Sequence, residues 1–254
     1  MERKLNGTVA LVTGATSAIG AATARRLALD GSEVAVVTDH GQLLDDLLDT
    51  LTAAGSTALA ITADLTDPDE AAATVQAVVD RFGRLDVLVN CAGVMLLETA
   101  LHVPLPDWDR MIALNVRAML YVTHAAVPYL IAGAVTSPRG VSDLVNVGST
   151  GARVARPTST VYNLTQSGLS AFSEALRQEL VVERVRVSLV EPGAASARLL
   201  GQVDAVPSFG AHHAPCDVQP LGPDDIADAI SYIVTRDRQV AVNELLIRSG
   251  DEIA

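Results

Sequence analysis

Aromatic residues are scarce: Trp, Tyr and Phe together make up 3% of the 254 residues. A core without rings has to be built from Ala, Val, Leu and Ile, and the chain is 49% hydrophobic. Such a composition suits a buried parallel sheet covered by Ala- and Leu-rich helices. Cysteine is also short, with Cys91 and Cys216 far apart, which argues against a disulfide framework and against a four-thiolate metal site. Positive charge is in deficit: 18 Lys and Arg stand against 30 Asp and Glu, a net charge of -12. Such a chain repels nucleic acid and anionic bilayers, so neither is an expected partner. The opening Met1-Glu2-Arg3-Lys4-Leu5 leads into no signal-like run, and no stretch of about 18 apolar residues is read from the sequence. The expectation is a cytoplasmic protein.

What is present is alternation. Val9–Val12, Val34–Val37, Ala58–Ile61, Val87–Val89, Leu144–Val147, Val185–Val190 and Leu245–Ile247 are short, continuous apolar runs, as strands covered on both faces should be. Helix-like segments lie between them, near 18–30, 41–54, 68–82, 107–131, 159–181 and 223–235. Asp67-Pro68 and Gly222-Pro223-Asp224 are helix-start signals. This order predicts one doubly wound parallel-sheet α/β domain over 1–254, with three layers, α/β/α. Two segments break the rhythm. Ala132–Asp143, with Gly133, Pro138 and Gly140, is expected to be a loop. Leu199–Leu221, with Pro207, Pro215 and Pro220, follows a strand end and is expected to cover a substrate. Within it His212, His213 and Cys216 have a spacing that a metal could use, but with no further ligand cluster no metal site is expected.

Thr13-Gly14-Ala15-Thr16-Ser17-Ala18-Ile19-Gly20 follows the first strand and opens the first helix. A helix N-terminus presents free N–H donors and the positive end of its dipole, which is what a pyrophosphate needs. Gly14 permits the tight turn and Gly20 the close helix–strand packing, the Rossmann dinucleotide arrangement.

This string resembles the fingerprint of the short-chain dehydrogenase/reductase family, whose three glycines fall at Gly14, Ala18 and Gly20; the middle one is Ala here. Further motifs follow in the family's order. They are Asp64-Leu65, Asn90-Cys91-Ala92-Gly93, Asn115, Ser149 with Tyr162 thirteen positions on, and Pro192-Gly193. The string Val242-Asn243-Glu244-Leu245-Leu246-Ile247-Arg248 looks like the branch of serine dehydrogenases and clavulanate-pathway reductases. The resemblance implies a nicotinamide cofactor held by Gly14, Thr16, Ser17, Ile19, Gly20, Thr38, Asp39, Asp64, Leu65, Asn90, Ala92, Gly93, Tyr162, Gln166, Pro192 and Gly193. It also implies a homodimer or homotetramer packed through the long helices near 107–131 and 159–181, and a small-molecule substrate.

The catalytic group implied is Asn115, Ser149, Tyr162 and position 166. The family's Tyr passes a proton to or from the substrate oxygen, its Ser orients that oxygen, and a Lys four residues after the Tyr binds the ribose and lowers the Tyr pKa. Position 166 is Gln. A neutral amide can hold a ribose hydroxyl but cannot stabilise a tyrosinate, so proton donation should survive better than proton abstraction. Ala197 stands where the family often has Thr, with Ser196 beside it. Asp39 after the second strand tips the expectation toward NAD(H) over NADP(H), because a carboxylate binds ribose hydroxyls and repels a phosphate. Thr38 and His40 stand beside it. The function expected is reduction of a carbonyl or iminium. The alternatives are a non-redox isomerase, cyclase or dehydratase, or an impaired cofactor-binding member. Leu96, Leu97, Val154 and Ala155 suggest an apolar pocket with no charged anchor.

Overall fold

The computed structural model describes residues 3–39, 44–193 and 221–250. The expected cover at 199–221 therefore lies, but for Leu221, outside the described residues, as do Ser196, Ala197, His212, His213, Cys216 and His40.

Seven strands form one parallel sheet in the order β3-β2-β1-β4-β5-β6-β7. They are β1 (Val9–Thr13), β2 (Glu33–Thr38), β3 (Ala58–Thr62), β4 (Val87–Asn90), β5 (Ser142–Val147), β6 (Val185–Pro192) and β7 (Glu244–Ile247). Alternate side chains of each strand enter two apolar layers, as the two-residue strand period requires. Ala10, Val12, Val34, Val36, Val89 and Val190 pack with Ile19, Leu27, Ile226 and Ile230 on one face. Val9, Leu11, Ala35, Val37, Leu88, Leu144 and Val187 pack with Val75, Val78, Val122 and Leu130 on the other. The first layer is covered by α1 (Ala18–Leu29), α2 (Asp45–Ala53) and α7 (Pro223–Val234). The second is covered by α3 (Pro68–Phe82), α5 (Met119–Thr136) and α6 (Thr160–Leu180), which joins it through Leu176 and Leu180. The helix α4 (Leu105–Ile112) packs with the start of α6 through Met111, Val161 and Tyr162. This is the expected three-layer doubly wound architecture.

Local chemistry sets the boundaries. Asp67 caps α3 by accepting hydrogen bonds from the backbone N–H groups of Asp69 and Glu70, Pro68 occupies its first turn, and Gly83 ends it at φ 78°. The expected loop at Ala132–Asp143 is shorter than predicted, because α5 runs through Gly133 to Thr136 and β5 begins at Ser142. Glycine there serves packing: a Cβ at 133 would lie 2.2 Å from the carbonyl oxygen of Leu85. Helix and loop meet at a distance only glycine allows.

The helix from Leu105 to Thr136 is also more apolar than expected, long and hydrophobic enough to cross a bilayer by those two measures. Here its buried residues, Val122, Ala126 and Leu130 among them, lie in the core layer against Leu88 and Leu144. It contains a π-helical turn, Ala113–Ala118, a local widening of the kind found at functional sites.

The amino ends of the strands are locked by buried ion pairs. Asp86 accepts two hydrogen bonds of 2.7 Å from Arg84 and one of 2.9 Å from the N–H of Val9. Asp143, fully buried, accepts from Arg186 at 2.7 and 3.0 Å and from Arg139 at 2.7 Å. Arg186 in turn donates to the carbonyl of Val240 at 2.6 Å, tying β5 and β6 to the connection into β7. Asp143→Asn leaves two guanidinium groups without their counter-charge. The expected loss is about 3 kcal/mol of stability, or about 6–12 °C in Tm for a domain of this size. Thermal unfolding followed by circular dichroism measures it.

Candidate active site

The carboxyl ends of β4, β5 and β6 open into a cavity of about 250 Å³. Of the predicted motif residues, Asn90, Ala92 and Gly93 close it at the end of β4, Pro192 and Gly193 at the end of β6, and Ile19 on α1. Asn115, Ser149, Tyr162 and Gln166 line the same space. The sequence reading therefore brought its whole proposed catalytic group to one place.

Each side chain is positioned by its element. Ser149 follows the end of β5 by two residues and caps the short 3-10 turn Thr150–Ala152, its Oγ accepting from the N–H of Gly151 at 3.1 Å. Tyr162 and Gln166 are four residues apart on α6, one turn, so they share a face. Tyr162 is 6% exposed, and its hydroxyl is hydrogen-bonded to Ser149. Burial pushes its pKa above the ordinary phenol value, while the Ser149 hydrogen bond pulls the other way and is the smaller effect. Gln166 is buried; its Nε2 makes one long contact of 3.5 Å to Thr165 Oγ1, and its Oε1 has no partner. A buried amide oxygen without a donor costs free energy, and this one lines the cavity.

Asn115 sits in the π-helical turn and points at the backbone beyond β4. Its Oδ1 accepts from the N–H of Val94 at 2.7 Å, and its Nδ2 donates to the carbonyl of Val94 at 2.8 Å and to Thr165 Oγ1 at 3.2 Å. Thr165 Oγ1 itself donates to the carbonyl of Tyr162 at 2.7 Å. One amide thus fixes the β4 loop, the helix and the tyrosine turn together. Asn115 is a positioning residue here.

Asn90 is also committed inward: its Nδ2 donates to Thr123 Oγ1 at 3.0 Å and to Asn146 Oδ1 at 2.9 Å. Cys91 is buried, with its thiol pushed up to about 11 by burial, so it stays protonated and packs, as expected of a non-nucleophile.

The second half of the expected set lies at the ends of β1, β2 and β3. Ser17 caps α1, its Oγ accepting from the N–H of Gly20 at 3.0 Å and donating to the carbonyl of Gly14 at 2.8 Å. A Cβ at Gly14, which has φ 64°, would lie 2.7 Å from Cα of Ala92; one at Gly20 would lie 2.3 Å from the oxygen of Gly14. Both glycines are required by close backbone approach. Thr16 and Thr38 share a hydrogen bond of 3.1 Å, and Thr38 Oγ1 donates to Asp39 Oδ1 at 3.3 Å. Asp64 is exposed and held below the usual carboxylate range by Thr66, whose hydroxyl and N–H both donate to it. Leu65 buries its side chain in the core beside Val9 and Leu11, which leaves only its backbone for a ligand.

Residues outside the expected set also serve the site. Thr13 Oγ1 accepts from the N–H groups of Cys91 and Ala92 at 3.0 and 3.1 Å, joining the ends of β1 and β4. Asn163 Nδ2 donates to the carbonyls of Gly151 and Val154 at 2.8 and 3.0 Å, pinning the loop beside Tyr162. Arg156 and Arg248 line the cavity, so the expectation of a pocket without charged groups is corrected. Of the apolar residues expected, Leu97 and Val154 are in the lining. A basic residue directly after the last strand was the available signal for Arg248, since ligands gather at strand carboxyl ends.

The profile of the short chain dehydrogenase family matches residues 8–207, most of the chain. The chain belongs to the short-chain dehydrogenase/reductase family. This family member is 36% identical over 253 residues to an uncharacterized oxidoreductase of Methylorubrum extorquens, covering 97% of this chain and 98% of that one. It is 33% identical over 248 residues to the glycine betaine reductase ATRR of Emericella nidulans, covering 98% of this chain but 19% of that much longer protein. Among solved structures it resembles a metagenomic short-chain oxidoreductase in complex with NADP, at 32% identity and TM-score 0.80, covering 97% and 99% of the two chains. It also resembles a 3-ketoacyl-(acyl-carrier-protein) reductase of Brucella melitensis complexed with NADH, at 28% identity and TM-score 0.84, covering 98% and 100%. The chain is an oxidoreductase of this family, on the seven-stranded parallel sheet that its relatives share.

Gly20→Ala in this short-chain dehydrogenase forces a methyl group onto the Gly14 carbonyl, so cofactor affinity is expected to fall at least about tenfold. Ala18→Gly, which completes the family's glycine pattern, is expected to keep or improve it. Titration of NADH fluorescence reads both.

Proposed function

We propose that the protein is an NAD(P)H-dependent reductase of a carbonyl or iminium group on a small metabolite. The observation that carries this reading is the buried Tyr162 hydroxyl, hydrogen-bonded to Ser149 in a cavity whose position 166 is neutral. With its pKa raised by burial, Tyr162 keeps its proton at neutral pH and is suited to give it to a substrate oxygen that is gaining charge. Ser149 orients that oxygen, and Asn115 fixes the helix turn behind Tyr162.

The residues present fit a dinucleotide. Gly14 and Gly20 leave a turn that a Cβ would fill, and the orphaned Gln166 Oε1 needs a donor that a ribose hydroxyl supplies. Gly14, Thr16, Ser17, Ile19 and Gly20 would hold the pyrophosphate side. Thr38, Asp39, Asp64 and Leu65 would hold the adenosine, and Asn90, Ala92, Gly93, Pro192, Gly193, Tyr162 and Gln166 the nicotinamide side. The cofactor supplies hydride to the carbon whose oxygen Tyr162 protonates. Thr38 aims the exposed Asp39 carboxylate at the end of β2, and on that ground we assign NADH over NADPH, since a 2′-phosphate would meet a like charge. NADH is expected to bind about tenfold tighter, and Asp39→Ala to narrow the gap; fluorescence titration with both cofactors decides it.

We also place the chain in the branch of serine dehydrogenases and clavulanate-pathway reductases, on Val242–Arg248, and assign it a homodimer or homotetramer built on the long helices, where Leu164 of α6 is exposed.

Position 166 sets the pH behaviour. The reductive reaction needs Tyr162 protonated, and burial raises its pKa, so kcat/KM should hold through neutral and mildly alkaline pH and fall only beyond the ordinary phenol range. Gln166→Lys places a cation one turn from the phenol and favours the tyrosinate. The fall should move to lower pH; at neutral pH the phenol is still protonated but is a stronger acid, so turnover there should rise by about an order of magnitude, one pKa unit being about 1.4 kcal/mol. Tyr162→Phe should abolish activity. Steady-state rates on aldehydes, ketones and imines, followed by NADH absorbance across pH, test the set. Unchanged turnover in Gln166→Lys, or activity surviving in Tyr162→Phe, overturns the roles assigned.

A further inference from the structure

The cavity has the opposite charge to the chain. The protein carries a net charge of -12, yet the charged residues lining the cavity are Arg156 and Arg248, and among the described residues no Asp or Glu lines it. Arg156 stands at the exposed rim. Arg248 is half-buried, follows β7 directly, and its Nε is shielded from solvent without a hydrogen-bond partner.

Arg84, Arg139, Arg153 and Arg186 each pair with a carboxylate. Among the described residues, the carboxylates near Arg248 are Glu191 and Glu244. Glu191 pairs with Leu246, and Pro192 with Ile247, across the β6–β7 ladder, so Glu191, Glu244 and Arg248 project from one face of the sheet edge. Arg153 takes both carboxylates, at 2.6 Å each. Glu191 Oε1 has no partner either, so it does not bond Arg248. A shielded guanidinium N–H without an acceptor is costly, and the planar fork matches a carboxylate.

We propose that Arg248 binds a carboxylate on the substrate, which makes the substrate a carbonyl acid. The proposal rests on the reductase reading above and names the substrate class of that site. The phosphates of a dinucleotide are not the ligand of Arg248. The α1 N-terminus follows β1, four strands from β7 in the sheet order, about 19 Å away at the usual strand spacing. The N–H of Gly193 donates to the carbonyl of Ile247 at 2.8 Å, so Arg248 stands beside the Pro192-Gly193 turn, at the substrate end.

The test uses matched pairs, acetoacetate with methyl acetoacetate and terephthalaldehydic acid with its methyl ester, on the intact protein and on Arg248→Gln and Arg248→Lys. The wild type should prefer each acid by about tenfold or more in kcat/KM, the gain of one charge-assisted pair. In Arg248→Gln that preference should vanish while the esters react as before and NADH affinity is unchanged; Arg248→Lys should keep part of it. Equal use of acid and ester by the wild type overturns the proposal, and so does equal loss of both in Arg248→Gln or a fall in NADH affinity there. If NADH binds and none of the four compounds is reduced, the reductase reading falls. The anion site is then read by binding: the acids, and not the esters, must perturb the fluorescence of bound NADH in the wild type but not in Arg248→Gln, and failure to do so overturns it.

Discussion

A parallel sheet sends every strand out through the same edge, and the rest of this molecule follows from that constraint. At the amino edge the chain can seal itself. Asp86 and Asp143 are buried there and are satisfied by arginines and backbone N–H groups. At the carboxyl edge the strands diverge into helices on opposite faces, and the backbone cannot close the gap. The helix after β1 leaves on one face and those after β4 and β5 on the other, and the cavity lies beyond the ends of β4, β5 and β6. Chemistry collects at that edge because unfilled space, helix starts and strand ends coincide only there.

Holding that edge still takes polar side chains pointing away from the cavity. Thr13 ties β1 to the turn after β4, Asn90 links β4 to Asn146 of β5 and to α5, and Asn146 donates to Ser173 of α6 at 2.8 Å. Asn115 continues the net to Thr165 and so to the carbonyl of Tyr162. Such a network is favourable only when nearly every member is satisfied. Its satisfaction stops at residues that line the cavity: Asn90 Oδ1, Asn163 Oδ1, Gln166 Oε1 and Arg248 Nε are shielded there without a partner.

Much of this was legible in the sequence because it depends on short-range patterns. Continuous apolar runs gave all seven strands to within a residue or two at most ends, and the strand–glycine turn–helix order placed Gly14, Ser17 and Gly20. Tyr162 and Gln166 share a face by helical spacing alone. The failures share one cause: each depends on a neighbour distant in sequence. Gly133 reads as a helix breaker until Leu85 is brought against it. Leu65 reads as part of an adenine motif, yet its side chain is claimed by the core. Arg248 ends the Val242–Arg248 string, which assigned it no role in the site, and its placement beside Gly193 follows only from β7 pairing with β6.

The electrostatics of the site depend on what is missing near the phenol as much as on what is present. A lysine at position 166 would place a full charge one helical turn from Tyr162 and favour the anion. With an amide there, burial is the dominant influence on the phenol and keeps its proton in place. The cations of the cavity stand elsewhere, Arg156 at its rim and Arg248 at the β7 edge, and neither is among the influences on the tyrosine. Binding charge and proton chemistry are then separated across the sheet. In a site of this kind, the group that draws the substrate in is free to change without altering the pKa of the group that protonates it, and the two can be varied independently.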